Sequence, residues 1–403
     1  MTTPPQAAYA PRQTGGQAGG QGAQGGQAPA AAAVPPWPFP VGVFDTEIQN
    51  PYDQTVTLAA TTKQFPDVEV EPEGWLRGLW FDVNIVAAGN SATVAFNADG
   101  PFNSINTVLL KGTNVPQTFG PFGGYDWENI NKYGGYQPVG DPRNDQAYSA
   151  TTGSGATAGS AHYILYMPME ISQHDALGDL QNQSDNSVYR VAITAEALAT
   201  IYATAPTAAP TMEVTVEQDS YSEPVAALAL SGRPVMDAPP LPGTRQCWQQ
   251  EDDTGIPAGS HTTKITNGIG YAYRNVILKE LRAGTSRANG ELDFPDPLDL
   301  WLGGTRVKRH KQSIWKAKTG RAFGLISTTA DSANGPENGV RVLWWDADVN
   351  FGPGNDARRK LFRTQDGNVF KLVGTWANAG TLFITSNYVI PRGGPAQNAQ
   401  IVA

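Results

Sequence analysis

Between residues 74 and 103 the chain reads GWLRGLWFDVNIVAAGNSATVAFNADGPFN, with apolar positions recurring at every second residue. Leu79, Phe81, Val83, Ile85 and Ala87 fall on one side of an extended chain, and Trp80, Asp82 and Asn84 on the other. After GNS, Ala92, Val94 and Phe96 take one face and Thr93 and Asn97 the opposite one. Successive side chains of an extended chain point to opposite faces, so this period predicts two half-buried strands around a short turn. Further strands are expected at QTVTLAATTK (54–63), NTVLLKG (106–112), AHYILYMPMEI (161–171), SVYRVAITAEA (187–197) and TMEVTVEQDSY (211–221).

The pattern pauses at SGRPVMDAPPLPG (231–243), a linker candidate with four prolines and glycines near both ends. It then restarts. TTKITNGIGYAYRNVILKELRAG (262–284) surrounds a Gly-containing turn with β-branched and aromatic residues, and VRVLWWDADVNF (340–351) alternates again. NVFKLVGTWANAGTLFITSNYVI (368–390) reads as two strands across an NAG turn, a hairpin signal. Helical signals are few. DPLDLWLGG (296–304), with Pro297 inside its start and glycines at its end, predicts a short helix, and EALATIYA (196–203) a second. Residues 113–160, rich in Gly, Tyr, Asn and Ser, read as one long loop, a length that usually marks an interaction surface. The result is an all-β chain of two tandem sandwiches, each of about eight strands.

Composition sharpens this picture. The 403 residues suffice for about two or three domains. Charged residues are only 16%, against 44 glycines and 31 prolines, which favours short strands and long loops over helical bundles. A formal net charge of −9 opposes general nucleic-acid binding, because neutralising phosphates takes clustered Lys and Arg. The low-complexity Gly, Ala, Gln and Pro segment 1–36 carries Arg12 as its one charged side chain, so it reads as a disordered arm without a genome-binding charge. WPFPVGVFD (37–45) then opens the ordered part. The expected organisation is an arm over 1–40, a first unit over 41–233 and a second over 234–403. No apolar run approaches the roughly 20 residues of a membrane-spanning helix, and no secretory signal is read at the start.

Candidate chemistry is sparse. Cys247 is the one cysteine, which excludes an intrachain disulfide and reads as a packing residue. The four histidines, His162, His174, His261 and His310, are far apart, so no metal site and no cofactor are expected. Glu170, Glu213, Glu217, Asp346 and Asp348 are the carboxylates a sandwich glycosidase would need, but they alternate with apolar residues as a solvated sheet face does. Ser154 lacks the glycine spacing of a nucleophile elbow. One cluster stands out: TRVKRHKQSIWKAKTGR (305–321) contains Arg306, Lys308, Arg309, Lys311, Lys316, Lys318 and Arg321 and no acid. It reads as a solvated face, as cations paired with Asp293, Asp296 or Asp299, or as a contact with an acidic neighbouring subunit or lipid headgroups. Intersubunit pairing is the preferred reading. Tyr125 and Trp127, in GGYDWENINKY, are the other interface candidates and, alternatively, platforms for a sugar.

The order and spacing of these segments resemble the double jelly-roll major capsid proteins of tectivirus-like, PRD1-type phages. The resemblance runs through the N-terminal arm, GWLRGLWFDVNIVAAGNSATVAFNADGPFNSINTVLLKG, GGYDWENINKY, GATAGSAHYILYMPMEISQHDALGDLQNQ and TMEVTVEQDSY, then a Pro-rich crossover and IPAGSHTTKITNGIGYAYRNVILKEL. It covers about three quarters of the chain. The arm departs from the better-known members in being rich in Gly, Ala and Gln. The resemblance implies two eight-stranded jelly rolls, a pseudo-hexagonal homotrimer, and a virion shell over an internal membrane around double-stranded DNA. Its implied partners are neighbouring trimers, penton and minor capsid proteins and the viral membrane, with no sequence-specific nucleic-acid contact and no catalysis. The protein would be made in the host cytoplasm. Deleting residues 2–36 is then expected to leave trimers intact and to impair shell assembly. The alternatives are a carbohydrate-binding or carbohydrate-hydrolysing sandwich and a trimeric receptor-binding spike.

Overall fold

The computed structural model describes residues 45–89, 93–112, 119–136, 146–171, 176–183, 188–222, 229–230, 233–236, 238–239, 242–282, 293–323, 339–345, 361–364 and 369–391. The expectations for the arm and for the opening segment before Asp45 lie outside these residues, as do Asp346, Asp348 and His174. In chain order the first half contains β1 (Asp45–Thr57), β2 (Lys63–Gln64), β3 (Val68–Glu69), β4 (Trp75–Val86), β5 (Ala95–Phe96) and β6 (Ile105–Lys111). Helix α1 (Gly124–Tyr133) follows, then β7 (Ser149–Thr151), β8 (Ser160–Pro168), β9 (Leu180–Gln181) and β10 (Arg190–Ala195). The short α2 (Leu198–Ile201), β11 (Tyr202–Thr204) and β12 (Thr211–Tyr221) complete it. A small ribbon, β13 (Ala229–Leu230) with β14 (Arg233–Pro234), sits at the expected linker.

The second half contains β15 (Arg245–Ile256), β16 (Gly259–Ile265), β17 (Ala272–Arg282), β18 (Leu298–Leu302) and β19 (Thr305–His310). After these come helix α3 (Gln312–Phe323), β20 (Val340–Trp344), β21 (Phe362–Arg363), β22 (Phe370–Trp376) and β23 (Gly380–Ile390).

Both halves use one plan. In the first, β1, β12, β4 and β8 form one sheet, and β2 and β3 pair with β10, which pairs with β6, in the other. Phe119 and Phe122 extend that second sheet beyond β6 through Val108 and Leu110. In the second half, β15, β23, β17 and β20 form one sheet and β16, β22, β18 and β19 the other. The chain thus crosses from sheet to sheet in the same order twice, with a helix after the fifth strand position each time, that of Phe119 and Phe122 in the first roll and of β19 in the second. This is a double jelly roll.

The buried positions follow the alternation read from the sequence. Leu79, Phe81, Val83 and Ile85 of β4 and Met212, Val214 and Val216 of β12 point into the first core. Tyr273, Val276, Leu278, Leu343, Leu382 and Ile384 fill the second, together with Cys247. At about 25 cal/mol per Å² of apolar surface, closing both faces of each roll supplies the dominant stabilisation.

Four local expectations are corrected. The segment 296–304 is strand β18, because Leu298 and Leu300 alternate into the core and β18 is hydrogen-bonded on both sides. After the 74–89 strand, β5 is only two residues long and pairs with β11 rather than with β4. The NAG turn joins β22 to β23, but these lie in different sheets, so it bridges the sandwich and closes no hairpin ladder. The stretch read as one long loop contains the ten-residue α1 and the strand β7. Helix α2 matches the second helical expectation in part, over four residues.

Candidate interaction surfaces

Among the described residues, those that chemistry would need are not gathered. Among the described residues no group of three or more His, Cys, Asp or Glu side chains could hold a metal ion. Cys247 is buried, and burial pushes its thiol up to about 12, so it is no nucleophile at neutral pH. Ser154 is exposed in a loop. Glu170 is fully buried with Arg77 Nε 3.4 Å away. His162 pairs with Asp82 (2.6 Å) at the surface. His261 lies 2.9 Å and Thr263 Oγ1 2.7 Å from Asp253. Burial pushes the Asp253 carboxyl up, but these two partners and the Gly255 N–H outweigh it and hold the group below its ordinary range. Glu213 and Glu217 stand on the outer face of β12, partly exposed.

The rolls meet along a seam inside the chain. Helix α1 docks on β8 of its own roll, where Asn131 accepts from the Tyr166 N–H (3.0 Å) and donates to its carbonyl (2.5 Å). Its other side covers the outer face of the second roll's sheet. Lys279 on β17 pairs with Asp126, and Asn275 Nδ2 donates to the Tyr133 carbonyl (3.1 Å). Phe119 bridges to Trp248, and Trp248, Ile277, Val340 and Val342 join the first roll's core. A buried polar knot completes the seam. Arg274, fully buried, donates to Tyr136 Oη (2.8 Å), to Gln246 Oε1 (2.7 Å) and to the Gly134 carbonyl (3.4 Å). Gln246 donates to the carbonyl of Glu170 at 2.7 Å. Buried polar groups must find such partners, and these fix the register of one roll on the other.

Tyr125, with Lys279 Nζ 5.7 Å from its ring centre, belongs to this seam, and Trp127 lies in the adjoining core beside Phe122. They are 5% and 2% exposed, so neither presents a ring to a sugar or to another subunit; this corrects both readings of them. Their ring faces are used inside the chain, Trp127 edge-on to Phe122 at 5.2 Å.

The cationic stretch forms β19 and α3, at the far edge of the second roll. Among the described residues β19 is the outermost strand of its sheet, with one neighbour, β18. Arg306 and Arg309 are exposed and lie 3.6 and 3.5 Å from Asp299, as one of the sequence alternatives has it. Lys308 sits over the Trp345 ring at 5.2 Å, and burial first, then Lys318, lowers its pKa. Only Trp315 and Thr319 of α3 are buried; Trp315 Nε1 donates to the Val342 carbonyl (2.7 Å) and holds the helix on β20. Lys311, Ile314, Lys318 and Arg321 are exposed, and Lys316 is half-buried.

The outer face of the first roll's larger sheet, β1–β12–β4–β8, is another open surface among the described residues. Asp53, Asp82, Glu213, Glu217 and Asp219 project there around Trp80, whose indole N–H donates to Asp219 (2.7 Å) and whose ring lies 4.3 Å from that of Tyr166. The periodicity disclosed this face; no sequence signal told it apart from an ordinary solvated one.

No protein-family model matches the chain, and no curated protein matches it. Solved structures do. The crystal structure of the STIV MCP superposes with a TM-score of 0.55 at 12% identity, covering 87% of this chain and 97% of that one. A chain of the atomic structure of Sulfolobus Turreted Icosahedral Virus gives 0.54 at 12% identity, with 89% and 95% covered. A chain of the PBCV-1 virus capsid gives 0.52 at 12% identity, with 86% and 94% covered. At such identities the likeness is one of fold.

Proposed function

We propose that this chain is the major capsid protein of a membrane-containing double-stranded DNA virus of the tectivirus-like kind, a structural subunit without catalysis. The observation that carries this reading is the pair of topologically identical rolls locked by one buried seam, a plan matched over nearly the whole length of chains from viral shells. A seam that fixes one roll on the other makes a rigid block with two similar corners. Three such blocks form a pseudo-hexagonal homotrimer that tiles an icosahedral surface. Neighbouring trimers, penton and minor capsid proteins are the remaining protein partners, and the internal membrane lies beneath. The negative net charge fits a shell separated from its genome by lipid.

The carbohydrate reading loses its two aromatic platforms to the seam. A receptor-binding spike would share the trimer and differ in abundance. Light scattering on the purified chain is expected to give three times 42.9 kDa, stable to dilution, and negative-stain images a six-cornered outline. Quantitative mass spectrometry of purified particles should find this chain as the most abundant protein. A dilution-stable monomer, or a chain present in a few copies per particle, contradicts the reading.

A further inference from the structure

Strand β19 departs from the alternation that its neighbour obeys. β18 turns Leu298 and Leu300 into the core of the second roll, and the register sets His310 beside Leu298 and Lys308 beside Leu300. Two basic side chains thus occupy positions that the period of two reserves for apolar ones. Asp299 and Arg309 fall on the opposite, outward face, where Asp299 lies between Arg306 and Arg309 at 3.6 and 3.5 Å.

The surroundings of the inward pair are aromatic. The His310 ring lies on that of Trp315 at 4.4 Å. Lys308 Nζ stands 5.2 Å from the ring centre of Trp345, which is itself stacked on Phe362 at 4.8 Å. Both basic residues are half-buried, and His310 Nε2 is buried with no hydrogen-bond partner among the described residues. Helix α3 bridges the two sheets here, because Trp315 stacks on His310 of β19 and donates to the Val342 carbonyl of β20. Lys318 follows Trp315 by one helical turn on the same side of α3 and adds a third basic group. Burial first and then Lys318 lowers the pKa of Lys308; burial, Lys308 and Lys318, in that order, lower that of His310. The three groups therefore feel one another. Among the described residues Asp299 is the one carboxylate that acts on His310, and none acts on Lys308.

We propose that Lys308, Lys318 and His310 form a binding site for a phosphate group, at the mouth of the second roll between β19 and α3. This goes beyond the capsid reading and does not depend on it. An inward lysine on an edge strand can serve as a guard against pairing with another chain. A guard needs a single charge, however, and explains neither the second cation brought from α3 nor the ring nitrogen buried beside them. A dianionic oxyanion answers both. It offers charge to two ammonium groups and separate oxygens to the two lysines and to the neutral imidazole, whose Nε2–H tautomer donates. A carboxylate, with one charge and two oxygens, leaves one of the three unmatched. The indoles of Trp315 and Trp345 keep water from part of the site, which strengthens each charge-assisted hydrogen bond.

A free phosphate ion and the headgroup of a phospholipid share this chemistry, and the experiment separates them. Inorganic phosphate titrated into the purified full-length chain, with chloride adjusted to hold ionic strength constant, is expected to bind at one site per chain. It should move the imidazole ¹⁵N signals of His310 and leave those of His162 and His261 in place. K308M and K318M are each expected to weaken binding by about tenfold or more. K311M removes an exposed charge beside the same helix, outside the site, and should leave binding unchanged. Phosphatidylcholine vesicles with and without phosphatidic acid are the second probe. A site for the free ion binds inorganic phosphate and ignores both vesicles, whereas a headgroup site also captures the vesicles with phosphatidic acid and loses them in K308M/K318M. If neither probe binds, if both single variants bind as tightly as the unaltered chain, or if the His310 signals stay in place on saturation, the cluster is a guard of the edge strand and the proposal is overturned.

Discussion

Helices α1 and α3 occupy the same place in the two rolls and lead opposite lives. Each follows the fifth strand position and docks on the next long strand of its own roll, α1 through Asn131 on β8 and α3 through Trp315 on β20. Yet Tyr125, Trp127, Ile130 and Tyr133 are buried on α1, whereas Trp315 and Thr319 are the buried residues of α3. The difference lies beyond the helix. A second roll stands against the side of α1 that β8 leaves open, while α3 faces outward with its lysines and arginine. Local topology therefore sets where a helix sits, and the neighbour sets which residues it requires. A strand edge left open invites unwanted pairing, and the cations along β19 also guard against that.

Breaking the seam should cost most. Trp127→Ala removes a buried indole that packs on Phe122 in the core shared by the two rolls and is expected to destabilise by about 3–5 kcal/mol, measured by urea unfolding. A loss below about 1 kcal/mol would mean that the seam is looser than drawn. Arg274→Ala leaves Tyr136, Gln246 and the Gly134 carbonyl without their shared donor, at about 2–4 kcal/mol. It should also raise the proteolytic susceptibility of the 134–136 segment.

The open edge should answer to pH instead. His310 is stacked on Trp315 at 4.4 Å, and burial first, then Lys308 and Lys318, pushes its pKa down to about 4. The unfolded imidazole titrates near 6.5, so between these values the unfolded chain binds the extra proton. Stability is then full above about pH 6.5 and falls toward pH 4, by at most about 3 kcal/mol. His310→Phe should flatten that part of the stability profile; an unchanged profile would show that His310 is not its source. The smallest effect on the protomer is expected for Ile314→Asp, within about 0.5 kcal/mol. That variant should nevertheless weaken self-association, and an equal loss of folding stability would place Ile314 in the core rather than on the edge.

The long strands were legible because their alternation is local. Leu79 to Ile85 and Met212 to Val216 carry the period of two in their own letters, and both prove to face a core. The cationic stretch was legible as a cluster, and its pairing with Asp299 was among the alternatives it raised. Helices α1 and α3 were not legible. α1 mixes Asn, Asp, Glu and Lys with aromatics because every side of it is enclosed, so no apolar stripe appears. α3 buries too few residues to produce one. Tyr125 and Trp127 looked like exposed platforms for the same reason: the core that encloses them is built in part from β15, β17 and β20, far along the chain.

The sequence by itself determined the all-β character, the two successive sets of strands and the faces those strands turn inward, since all three follow from side-chain alternation and turn residues a few positions apart. Tertiary structure decided which strands pair, that the NAG turn spans two sheets, and that one helix edge is sealed while its counterpart stays open. Those outcomes depend on contacts such as Asp45 with Tyr221 and Asp126 with Lys279, whose partners no local pattern specifies. They are set by the free energy of burying whole faces against each other.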